Sequence, residues 1–122
     1  VVLGFHRDIA PVKIAVLPLL KKRDDVVAKA RAIAETLRKK WITVYDDTAA
    51  IGKLYRRQDE VGTPYCLTVD VQTVGDAEKG EAPDHKVTIR ERDSMEQIRV
   101  PIEKLPEVMA TLLSEGWGSR PT

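Results

Sequence analysis

Cysteine is nearly absent. Cys66 stands alone, and with only His6 and His85 beside it the chain has neither a partner for a disulfide nor a ligand set at zinc-site spacing. A disulfide-stapled scaffold and a structural zinc module are excluded, and no metal site is expected. Long apolar runs are missing as well: the best candidate is broken by Lys13 and Pro18, and a bilayer span takes about 20 apolar residues. With no signal-peptide pattern, the expected location is cytoplasmic and no membrane partner is expected. Aromatic residues number only six, and the net charge of the 122 residues is +1. Extended base stacking and a generic polyanion-binding surface are both disfavoured, and no DNA partner is expected. An initiator methionine is lacking too, so Val1-Val2-Leu3 reads as the start of a piece cut from a longer chain.

What the chain does have is charge in quantity. Charged residues make up 32% and hydrophobic ones 43%, the balance of one globular domain. The neutral sum hides two halves: 13 basic and 6 acidic residues up to Arg57, then 7 basic and 13 acidic. The basic half offers Lys21, Lys22, Arg23, Lys53, Arg56 and Arg57 to backbone phosphates.

Hydrophobic period sets the elements. The apolar run 12–17, closed by Pro18, reads as a buried strand. From Asp24, a plausible N-cap, Val26, Val27, Ala30, Ile33, Ala34 and Leu37 recur at helical spacing. Residues 41–45 form a second strand, parallel to the first. A second helix follows over about 49–60, capped by Asp47 or Thr48 and ended by Gly62 and Pro64. Residues 65–71 give a third strand and 72–84, with two glycines, a proline and four acidic residues, an irregular surface loop. Segments 86–91 and 97–100 read as an added hairpin. Leu105, Val108, Met109, Leu112 and Leu113 form a last amphipathic helix, stopped by Gly116. The expected fold is a three-layer α/β/α domain with a five-stranded mixed sheet and three helices.

Three apparent chemical signals fade on inspection. Asp46-Asp47 stands where open α/β sheets place ligands and could hold Mg²⁺, but the two read better as a helix cap and a solvated neighbour. Gly52-Lys53 lacks the first glycine of a phosphate loop, since position 47 is Asp, and Leu54 replaces its Ser or Thr. Cys66 reads as a small buried hydrophobe. The densest cluster left is Lys53, Arg56, Arg57, Gln58, Asp59 and Glu60, with a second mixed cluster at Arg90-Glu91-Arg92-Asp93. Guanidinium forks beside carboxylates suit the edges of splayed, single-stranded bases, with Tyr55 as a stacking surface.

At these clusters a family becomes recognisable. Asp46-Asp47-Thr48, the run Ile51-Gly-Lys-Leu-Tyr-Arg-Arg-Gln-Asp-Glu-Val-Gly-Thr-Pro64 and the stretch Val87 to Gln97 closely resemble the C-terminal anticodon-binding domain of homodimeric class II glycyl-tRNA synthetases, as does Leu3 to Leu19. The resemblance covers nearly the whole chain. It implies one anticodon-binding domain over 1–122, a fragment of a longer ATP-dependent ligase whose catalytic domain is absent. It further implies no cofactor in this domain, ATP and Mg belonging to the missing part, a homodimeric parent, and glycine tRNA as partner through its anticodon stem-loop. The fragment alone is expected to be non-catalytic. The implied tRNA-contacting residues are Lys53, Tyr55, Arg56, Arg57, Asp59, Glu60, Thr63, Arg90, Arg92 and Asp93. Glycine anticodons carry cytosine at the second and third positions, and a carboxylate beside an arginine suits cytosine, whereas uracil would set a carbonyl against it. The acidic 72–84 loop is expected to lie away from the RNA. The alternative is a non-catalytic accessory or interaction subunit on the same fold, against which the glycine-type clusters argue.

Overall fold

The computed structural model describes residues 12–20 and 22–121; His6, Lys21 and most of the Leu3 to Leu19 stretch lie outside them. Five strands form one sheet in the order β2-β1-β3-β4-β5. β1 (Ile14–Pro18) pairs in parallel with β2 (Thr43–Tyr45) and with β3 (Tyr65–Val69), while β4 (Lys86–Glu91) and β5 (Gln97–Pro101) continue antiparallel. The expected hairpin on a parallel core is what forms.

Strand alternation divides the apolar residues between two faces. Ile14, Val16, Tyr65, Leu67, Val69, Val87, Ile89 and Val100 face α1 (Asp24–Arg38) and α4 (Leu105–Glu115) in the larger core. α1 adds Val26, Ala30, Ile33, Ala34 and Leu37, and α4 adds Leu105, Met109, Leu112 and Leu113. On the other face α2 (Ile51–Val61) closes a much smaller core of Ala15, Leu17, Leu54 and Cys66. Burying one such Leu or Ile is worth about 1.5–3 kcal/mol, so most apolar stabilisation lies under α1 and α4. α2 is held largely by polar links.

Several expected details are corrected. The N-cap of α1 is Arg23 without a side-chain cap bond, and Asp24 is the first helical residue. Neither Asp47 nor Thr48 caps α2, which begins after Ala50. Asp46 takes the turn instead, accepting from the Thr48 amide at 3.0 Å and hydroxyl at 2.7 Å, while Asp47 accepts from the Tyr45 hydroxyl at 3.0 Å. The 72–84 stretch is not wholly irregular. β3 ends at Val69, two residues short of the expected 71, and Asp70 caps a one-turn helix, α3 (Val71–Val74), through a capping box with Thr73. Gly75 then turns at φ +81, where a Cβ would lie 2.6 Å from the Pro83 nitrogen. Gly62 and Gly116 end α2 and α4 at positive φ, as expected. Among the described residues no helix is long and apolar enough to cross a membrane.

Candidate nucleic-acid interface

α2 packs over β1 and β3 and, among the described residues, leaves the β4–β5 half of its sheet face open. Register places Cys66 beside Arg90 and Thr68 beside Thr88, then Thr88 beside Arg99 and Arg90 beside Gln97. The open half is thus surfaced by Thr88, Arg90, Gln97 and Arg99. Along its border runs one stripe of α2, residues 52, 55 and 59, at the i, i+3, i+7 spacing of a single helical face.

Three expected site residues meet at this border. Arg90 donates to both carboxylate oxygens of Asp59 at 3.2 and 3.3 Å, and its guanidinium lies 4.6 Å from the centre of the Tyr55 ring. Tyr55 in turn shares a 2.5 Å hydrogen bond with the Thr68 hydroxyl. The Arg90 residue is only 8% and Asp59 9% exposed. Desolvation alone would lower the guanidinium's pKa, but the hydrogen bonds and charge of Asp59 outweigh it and hold the pKa above its usual value. Burial raises the Tyr55 phenol and pushes the neighbouring Cys66 thiol up to about 12, so that thiol is inert at neutral pH.

The other expected residues do not converge on this cluster. Arg57 clamps the β2–α2 turn, donating to Asp46 at 2.5 Å and to Thr48 at 2.8 Å. Burial would raise the Asp46 carboxyl, but its bonds from Thr48 and Arg57 carry it below the usual value. Thr63, buried, donates to the Gln58 side chain at 2.8 Å. Arg92 donates to the Gly62 carbonyl at 2.7 Å and pairs with exposed Asp93 at 2.9 Å. Lys53, Arg56 and Glu60 point outward on α2, exposed, and make no ion pair among the described residues.

Arg99 and Asp70 belong to the open face and were not singled out together from the sequence. Arg99 donates to Asp70 at 2.9 Å, to Thr88 at 3.1 Å and to Asp84 at 2.8 Å, so one guanidinium pins both ends of the 71–84 excursion to β5. Arg99 was read only as part of the added hairpin, and its partners 15 and 29 residues away carried no local signal. Among the described residues no cluster of three or more His, Cys, Asp or Glu could hold a metal ion.

Half of one face of this mixed sheet is thus given to hydroxyl, charged and amide side chains, those of Thr88, Arg90, Gln97 and Arg99. The chain matches the Anticodon binding domain family over residues 13–112, and it belongs to that family. It is 50% identical to a glycine–tRNA ligase of Corynebacterium efficiens over 93% of its own length and 23% of the relative's. It is 53% identical to the glycine–tRNA ligase of Acetivibrio thermocellus over 86% of its length and 20% of that protein's. The chain therefore spans about a fifth to a quarter of these relatives. Two solved structures share the fold: a prolyl-tRNA synthetase from Cryptosporidium parvum with a TM-score of 0.79 at 22% identity, and the RNA binding domain of a threonyl-tRNA synthetase from Cryptosporidium parvum Iowa II with 0.66 at 24%. They cover 93% and 83% of this chain, which matches 23% of each.

Proposed function

We propose that this domain grips the anticodon stem-loop of glycine tRNA and reads its cytosines, as the tRNA-recognition module of a glycine–tRNA ligase. The carrying observation is the 46–53% identity to glycine–tRNA ligases over at least 86% of the chain among three such relatives, against 22–24% to structural neighbours of other specificity. Activation of glycine with ATP and Mg, and homodimer formation, belong in this reading to the rest of a cytoplasmic enzyme.

The geometry gives the reading its chemistry. Asp59 is fixed by Arg90 at the border of the open sheet, and a carboxylate oxygen that accepts one bond retains a lone pair for another. A cytosine amino group suits that vacancy, and a uracil carbonyl does not. The paired guanidinium is a brace for this acceptor, with the Tyr55 ring as its backing. Exposed Glu60 and Asp93 are further acceptors, Lys53 and Arg56 face the backbone phosphates, and Arg57, Thr63 and Arg92 stiffen the turns at the ends of α2. A good bidentate base contact discriminates by about 1–3 kcal/mol.

The test is a titration of the domain with stem-loops that differ only in anticodon. The glycine stem-loop should bind at least about tenfold tighter than stem-loops with the proline or threonine anticodon. Equal affinities would overturn glycine recognition.

A further inference from the structure

Gly52 is unexplained by the fold. It is the second residue of α2, with an ordinary right-handed backbone, and a Cβ built on it meets nothing within 4 Å. Glycine is a poor helix former compared with alanine because it restricts the unfolded chain least. Gly75 shows what an intramolecular need looks like, with positive φ and a backbone nitrogen in the way; Gly52 has neither. It occupies the stripe it shares with Tyr55 and Asp59, at the border of the open sheet face. One turn on, at the i+4 position, is Arg56, exposed and without an ion pair among the described residues. Every arginine after Gln58, by contrast, is committed to a carboxylate.

Resting on the anticodon reading above, we propose that Gly52 is the close-approach point for a backbone phosphate of the anticodon loop, with Arg56 as its cationic partner. A phosphate within reach of the Arg56 guanidinium lies along the same helical surface as residue 52, and the missing side chain lets the ribose–phosphate chain sit against the helix backbone. A contact of this kind positions the RNA and carries no sequence information.

The experiment compares Gly52→Ala, Gly52→Leu and Arg56→Ala with the parent domain, by thermal melting and by titration with the glycine stem-loop and with a version carrying one anticodon uracil. The glycine variants should melt at a higher temperature than the parent. Both should bind more weakly, about tenfold for Gly52→Leu, by the same factor on both stem-loops. Arg56→Ala should lower the slope of log affinity against log salt by about 0.7, one single-strand phosphate contact. A lower melting temperature for Gly52→Ala would assign the glycine to the fold and overturn the proposal. So would higher melting with unchanged binding, or a loss confined to the cytosine-bearing stem-loop. If the parent domain binds no stem-loop, the anticodon reading itself fails.

Discussion

Asp59 and Arg90 form a bidentate pair at the seam between α2 and β4, both less than 10% exposed. Removing one member of such a pair strands the other charge away from water. Asp59→Asn should therefore lower unfolding free energy by about 3 kcal/mol, measured by urea denaturation with an unchanged m-value; a loss below about 0.5 kcal/mol, the range of ordinary surface substitutions, would show that solvent screens the pair. The pairing also sorts the arginines. Residue type and order marked Arg90 and Asp59 as interesting, since both clusters were visible along the chain. That they neutralise each other was not legible, because the pair spans 31 residues and depends on which way α2 turns its Asp59 face. The same reason hid the role of Arg57. In the sequence it is one of two adjacent arginines on a helix; in the fold Arg56 points outward while Arg57 reaches back to Asp46.

The elements were more legible than the bonds between them. α1 and α4 announce themselves by apolar spacing and by a glycine after the last turn of α4, and β4 by its alternation. The beginnings of helices were less so: Asp24 and Thr48 have the right chemistry for caps, but tertiary bonds draw Asp46, Thr48 and Arg57 into a turn and leave Ala50 at the N-cap. α3 escaped notice because one helical turn among glycines and acidic residues has no hydrophobic period, although the Asp70-x-x-Thr73 pattern that caps it was present. Two of these turns make a pH prediction. Burial raises the Asp84 carboxyl, but the Lys86 amide and Arg99 outweigh it, so its pKa, like that of Asp46, lies below the ordinary value of 3.8 in the folded state. A group with a depressed folded pKa stabilises the fold above its unfolded pKa, and that contribution disappears as pH falls through the folded one. Stability should be level from neutral pH to about pH 5 and fall below about pH 4, by calorimetric melting. The double variant Asp46→Asn, Asp84→Asn should show a shallower fall below that point; an unchanged acid profile would show that the Arg57 and Arg99 clamps contribute nothing to the folded state.

Across the whole molecule, the charge split between the two halves takes on a physical meaning once the pairs are known. Arg90, Arg92, Arg99 and Arg120, the four arginines of the acidic half, are all bonded to carboxylates. Lys53 and Arg56, in the basic half, are not paired among the described residues. The acidic half therefore supplies a rigid, internally neutralised sheet face, and the N-terminal part of α2 supplies accessible cations along its border. Such a surface favours shape and base identity over bulk attraction, in keeping with a net charge of +1. The domain class was legible from the order of strands and helices, and the family from the α2 and β4 clusters. The open half of the sheet was not, because nothing in the sequence states which strands α2 covers. Cytosine recognition is decided by the affinity of the domain for a glycine stem-loop against two versions in which the second or third anticodon cytosine is replaced by uracil. Each replacement should weaken binding by about tenfold or more, at about 1–3 kcal/mol per base contact, at unchanged salt dependence. The same affinity for all three stem-loops would contradict it.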